Sequence, residues 1–182
     1  MNRDSRFPEY VDLVLGCLRS SGHYHDADTT VSADNYVRLV VGVADAELQV
    51  DLVNDSAPRF GELVSGALYP RIDSVRNMLS NKITALSRLE GKDFADLWTI
   101  SRNTSFHWSD ILREAGMKDA GVAPEVPSQL LRSFPPRLFD SIRWRRRPDR
   151  DRFLAELRQM SRDLIELGPN SLAPAHPQSQ RV

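Results

Sequence analysis

The sequence predicts an α+β fold: one helix, a small antiparallel or mixed sheet, then a helical C-terminal half. Three observations predict it. Apolar residues before position 20 recur at helical spacing. Two runs between positions 36 and 54 are β-branched or strictly alternating. From Ser74 to about Leu167 the pattern is helical.

Residues 8–20 carry Val11, Val14, Leu15 and Leu18 on one helical stripe, and Ser20-Ser21-Gly22 ends it. Residues 23–33 hold a weaker strand. Tyr36 to Val43 is aliphatic throughout most of its length. Glu47 to Asn54 alternates, with Leu48, Val50 and Leu52 on one face and Gln49, Asp51 and Val53 on the other. The short Ala44-Asp45-Ala46 connection predicts an antiparallel hairpin. Residues 56–71, with Pro58, Gly61, Gly66 and Pro70, predict a loop with a short strand near Glu62 to Val64. Ser74 is placed to cap a helix to about Leu89, with Gly91 as its stop. Phe94, Leu97, Trp98 and Ser101 form the stripe of the next helix. Ser109 is placed to cap a third, and prolines at 124, 127, 135 and 136 divide short helical pieces. A last helix spans about Pro148 to Leu167, and the polar remainder reads as disordered. The expected organisation is therefore residues 1–72 as a partial α/β core, 73–167 as a helical region and 168–182 as a tail.

At 182 residues, 41% of them hydrophobic and 27% charged, the chain can pack a core. A formal net charge of -1 does not advertise a nucleic-acid binder as a whole. The single cysteine, Cys17, excludes an internal disulfide and a cysteine zinc cluster, and its leucine and valine neighbours predict a small buried hydrophobe. No apolar run approaches the roughly 18 residues a membrane helix needs. The polar start is not a signal peptide, so a cytoplasmic protein is expected.

Three features carry chemistry. Asp51 stands mid-strand, where aspartate is disfavoured. It is either a resident of a wet sheet face or a carboxylate aimed at a hard divalent cation such as Mg²⁺. Lys82 falls inside the stripe of Val75, Met78, Leu79, Ile83 and Leu86, seven residues after Val75. It either snorkels from the stripe's edge or meets an anion such as a nucleotide phosphate. Lys92, Asp93 and Asp96 open the next helix. The two acids lie three residues apart, where the helix dipole favours them and where one of them can also pair with Lys82.

Taken together these residues form a longer pattern. Asp73-Ser74-Val75-Arg76-Asn77-Met78-Leu79-Ser80-Asn81-Lys82-Ile83-Thr84-Ala85-Leu86, then Arg88, then Lys92-Asp93-Phe94-Ala95-Asp96-Leu97, resembles the late motif of the AbiEii/AbiGii toxin family. The preceding Val50-Asp51-Leu52-Val53-Asn54-Asp55 resembles that family's third-carboxylate strand. The resemblance spans roughly Phe7 to Leu167. It implies a nucleotidyltransferase-like fold that moves a nucleotide from a nucleoside triphosphate to an acceptor, tRNA for some relatives. It also implies a role in a toxin–antitoxin or phage-defence pair with an antitoxin partner. Carried over by position, Asp51 is the metal-side carboxylate for Mg²⁺ and Lys82 contacts triphosphate. Asp96 is the more functional late-motif acid, Asp93 is partly structural, and Arg88 and Lys92 are supporting cations. These roles require Asp51 and Lys82 to converge on one polar pocket. The family's opening Gly-Gly turn and Asp-x-Asp strand have no counterpart here, since Gly16 and Gly22 stand alone. The resemblance therefore implies an N-terminally truncated member with impaired transfer, completed by an upstream fragment if one exists. The alternative is a non-catalytic remnant or a module that binds nucleic acid or a partner.

Two further clusters remain. His23-x-His25 with Asp26 and Asp28 reads as a polar segment or, less economically, a metal site. Arg143, Arg145, Arg146, Arg147, Arg150 and Arg152 surround Trp144. They read as a solvated face diluted by Asp149 and Asp151, or as contacts to a tRNA phosphate backbone.

Overall fold

The computed structural model describes residues 4–25, 29–43, 46–55, 57–69 and 71–174. Among these the fold is α+β, with seven α-helices and a small antiparallel sheet. The chain divides into two compact units, Met1–Ala57 and Pro58–Val182. The division falls earlier than the position-72 boundary expected from composition, because residues 58–73 are tied to the first helix of the second unit.

In the first unit, α1 (Phe7–Ser20) precedes β1 (Tyr24–His25), β2 (Val31–Ala33), β3 (Tyr36–Val43) and β4 (Ala46–Val53). β4 pairs with β3 along its whole length, from Tyr36 opposite Val53 to Val43 opposite Ala46. β1 and β2 share the other edge of β3, near its two ends. The expected hairpin is present, though residues 44 and 45 of its turn lie outside the described residues. Period-2 alternation buries Val37, Leu39 and Val41 on one face of β3, with Val50 and Leu52 beside them. Phe7, Val11, Leu15 and Leu18 of α1 cover that face. Cys17 falls off this stripe and is exposed, contrary to the buried position expected for it.

The second unit opens with a folded-back segment. Val64 bridges Ile72 where a short strand was expected. Gly61 has φ +78°, and a Cβ there would meet Ser74 Oγ at 2.5 Å, so both backbone and space require glycine. Ser74 caps α2 (Val75–Ala85) by accepting the Asn77 N–H at 3.0 Å, and its hydroxyl donates to the Phe60 carbonyl.

Gly91 does not stop this helix. A 3-10 turn (Leu86–Arg88) and Leu89, in the left-handed region at φ 54°, make the reversal. Gly91 is instead the first residue of α3 (Gly91–Ser101). A Cβ there would lie 2.8 Å from the Leu138 carbonyl and 2.9 Å from Ile142, so the glycine lets α3 approach α6 closely.

α4 (Trp108–Lys118) starts one residue before the expected cap at Ser109, and His107 precedes it without a side-chain cap. The order continues through α5 (Glu125–Arg132), α6 (Pro136–Ser141) and α7 (Arg150–Ile165). These helices enclose one core that includes Leu79, Phe94, Trp108, Phe139, Phe153 and Leu157, each 1% exposed or less.

The segment after α7 is docked through Ser171, where a disordered tail was expected from Gly168 onward. Leu167, at φ 54°, ends the helix. Asn170 is buried; its side chain donates to the carbonyls of Ser101 at 2.7 Å and Thr104 at 2.8 Å. Asp163 accepts the Ser171 N–H at 2.9 Å and its hydroxyl at 2.7 Å. No helix among the described residues is long and apolar enough to cross a membrane.

Asn170→Ala leaves two carbonyls without their donor, and we expect a loss of about 2 kcal/mol in urea unfolding. Gly91→Val, which drives side chain into the α6 backbone, should cost about 1–3 kcal/mol in the same measurement.

Candidate functional site

Asp51 lies on the outer face of β4, directly opposite Arg38. Arg38 grips both carboxylate oxygens, Nε to Oδ1 at 2.8 Å and a terminal nitrogen to Oδ2 at 3.1 Å. The Tyr36 hydroxyl donates to Asp51 at 3.1 Å and the Gln49 amide at 3.2 Å. The Arg38 guanidinium, helped by Tyr36 and Gln49, holds the Asp51 carboxyl below the usual carboxylate range. This donor set does not fit Mg²⁺. Both oxygens of Asp51 are already engaged by cation and dipoles, and no group of three or more His, Cys, Asp and Glu among the described residues is arranged to hold a metal ion. Asp26 and Asp28 lie outside the described residues.

The late-motif residues do come together, within the second unit. Lys82 on α2 reaches Asp93 Oδ1 at 2.8 Å and Asp96 Oδ2 at 2.6 Å, both on α3. Asp93 is 3% exposed at its side chain, Lys82 27% and Asp96 54%, so the trio runs from core to surface. Burial pulls the Lys82 ammonium down, but its hydrogen bonds to Asp93 and Asp96 outweigh this and hold the group above its ordinary value. Lys82 is thus both the snorkelling lysine and the anion-binding one, and its anions come from the chain itself. Asp51 has Arg38 as its partner within the first unit, and Lys82 has Asp93 and Asp96 within the second.

Sequence patterns missed a neighbouring clamp. Lys118 Nζ donates to the side-chain oxygens of Asn77 at 2.7 Å and Asn81 at 2.5 Å. Asn77, buried, also receives the Phe60 N–H at 3.2 Å. The buried face of α2 therefore includes Asn77 and Ser80, while Val75 of the expected stripe is 39% exposed.

A concavity of about 1020 Å³ runs beside this trio in the second unit. α3 contributes Lys92, Asp96 and Thr99, and Arg102 follows at its C-terminal end; they recur at helical spacing on the side opposite its buried Phe94 and Leu97. The facing wall is the segment between α6 and α7, with Arg143, Arg145, Arg146 and Arg147. Trp144 fixes that wall. Its ring stands edge-on to Trp98 and Phe153, with centroids 6.2 and 5.6 Å away, and tilts against Phe139 at 5.3 Å. Its indole N–H donates to the Phe139 carbonyl at 3.1 Å. With Trp144 anchored, its arginine neighbours stay at the surface.

The groove's charges are only partly balanced. Lys92 pairs with Glu90 at 2.6 Å, Arg147 pairs with Asp140, and Arg152 and Arg102 share Glu156 at 2.8 and 3.5 Å. Glu156 also accepts the Trp98 indole N–H at 2.6 Å. Asp149, which dilutes the cluster in sequence, instead caps α7 by accepting the Arg152 N–H at 2.8 Å. Arg143, Arg145 and Arg146 make no ion pair among the described residues. Arg88 lies outside the groove lining. Arg102 and Thr99 escaped notice in the sequence, although their spacing from Lys92 and Asp96 was a usable signal.

Lys82→Met leaves Asp93 buried without its cation and should cost about 3–5 kcal/mol, most of it recovered in Lys82→Met/Asp93→Leu. Because the folded Lys82 value is raised, its contribution is fully present below the unfolded lysine value of about pH 10.4 and is lost as pH rises through the folded one. The stability gap between wild type and Lys82→Met should therefore hold to about pH 10 and narrow only above it. Compared with known proteins, the chain matches no family model, no curated protein and no solved structure at a significant level.

Proposed function

We propose that the helical unit binds the phosphate backbone of a structured RNA, with tRNA as the first case, along the groove between α3 and the Arg143–Arg147 segment. One observation carries this reading: Arg143, Arg145 and Arg146 lack carboxylate partners among the described residues, on a segment that Trp144 holds in place. Guanidiniums left without counter-charge on a fixed wall favour phosphate, which they can bind in bidentate fashion. The groove's two indoles offer little to bases. Their rings pack against other core rings and both N–H groups are satisfied. Recognition is then electrostatic and largely indifferent to sequence.

A second reading is nucleotidyl transfer from a nucleoside triphosphate, with a toxin–antitoxin or phage-defence role and an antitoxin partner. The observation that favours it is the meeting of Lys82, Asp93 and Asp96, three positions of the motif read in the sequence. In that reading Asp96, half exposed in the groove wall, is the acid and Lys82 the cation. Asp51, sequestered by Arg38, takes no part in it as a metal ligand.

Fluorescence anisotropy with labelled tRNA tests the first reading. Binding should weaken steeply with salt. Arg143→Ala/Arg145→Ala/Arg146→Ala should lower affinity about 10- to 100-fold and reduce the salt slope by about 2–3. Unchanged affinity in that variant removes the groove from consideration. Incubation with labelled nucleoside triphosphates, Mg²⁺ and tRNA tests the second, since covalent label on RNA that disappears in Asp96→Asn supports transfer.

A further inference from the structure

β4 has a second edge. Asn54, just after β4, donates its N–H to the Asn35 carbonyl at 2.8 Å, continuing the register that sets Tyr36 opposite Val53. Hydrogen-bonded and non-bonded pairs alternate along an antiparallel ladder. Residues 46, 48, 50 and 52 therefore turn their backbone groups toward β3, and Glu47, Gln49, Asp51 and Val53 turn theirs outward. Among the described residues no strand pairs with that outer edge. The strand has no lysine, no proline and no bulge in its register with β3, and its only charged residues are Glu47 and Asp51. Leu48 is 60% exposed and Val53 58%.

We propose that β4 pairs with β4 of a second copy of this chain, antiparallel across a two-fold axis, with Val50 opposite Val50. Directly opposed residues share a face, so the axis of a self-paired strand passes through one residue, and charge decides which. Centring on Gln49 sets Glu47 against Asp51 twice. Centring on Asp51 opposes two aspartates and shortens the ladder. Centring on Val50 keeps most of the strand paired and opposes no two acids. It sets Gln49 against Asp51, a pairing these side chains already make within one strand at 3.2 Å. It also sets Leu48 against Leu52, covering the leucine left exposed at the end of the core-facing row. The strand thus meets its own image without like-charge opposition, which is the argument for a second copy as the occupant. A single strand pair buries less than the roughly 1,200 Å² of a stable interface, so the dimer is weak, with Kd on the order of 10–100 μM.

Sedimentation velocity of the full chain over about 5–500 μM should show a reversible monomer–dimer equilibrium. Gln49→Pro removes an outward N–H and none that faces β3; it should weaken the dimer at least about tenfold, with the melting curve retained. In a Cys17→Ser background, Val50→Cys should form an intermolecular disulfide on mild oxidation while Gln49→Cys does not. A chain that stays monomeric over the range overturns the proposal. So does a dimer that survives Gln49→Pro, or a reversed preference between the two cysteines. If Gln49→Pro disrupts the circular dichroism of the sheet, the cysteine pair decides alone.

Discussion

Trp144 is the residue on which the basic groove depends. Its neighbours are arginines that would repel one another and wander if the segment between α6 and α7 were free. Burying an indole among Trp98, Phe139 and Phe153 pins the backbone between those arginines, and the indole N–H to the Phe139 carbonyl sets the ring's orientation. The apolar core thereby holds a cationic surface together. The same cluster reaches α3 through Trp98, so the two walls of the groove are fixed against each other by aromatic packing rather than by the charges that line them.

Charge is distributed unevenly over the protein. Asp51 is matched by Arg38 and Lys82 by two aspartates, and Glu156 serves two arginines and an indole. Arg143, Arg145 and Arg146 are among the cations that make no ion pair among the described residues, and they share one wall of one groove. A formal net charge of -1 conceals this, since averages say nothing about where unpaired cations collect.

Much of the fold was legible because it rests on local periodicity. The α1 stripe, the β3–β4 hairpin and the buried side of α3 all follow from spacing alone. Even the fate of Asp51 was readable: the β3–β4 hairpin, with Val43 opposite Ala46, sets residue 51 opposite Arg38, the one charged residue of β3. The meeting of Lys82 with Asp93 and Asp96 was accessible because α2 and α3 are consecutive and joined by a short reversal. The features that escaped are long-range. Gly91 looks like a helix stop until Leu138 and Ile142 are brought against it. The groove joins α3 to a segment some forty residues later, and no local pattern encodes that approach.

Asn170 imposes an order on biosynthesis. It closes the end of α3 by donating its side-chain amide to the carbonyls of Ser101 and Thr104, residues made far earlier on the ribosome. The strand pairs described in the sheet unit all lie between Tyr24 and Val53 and can form as soon as those residues emerge. The end of α3 in the helical unit waits for a donor made 69 residues after Ser101.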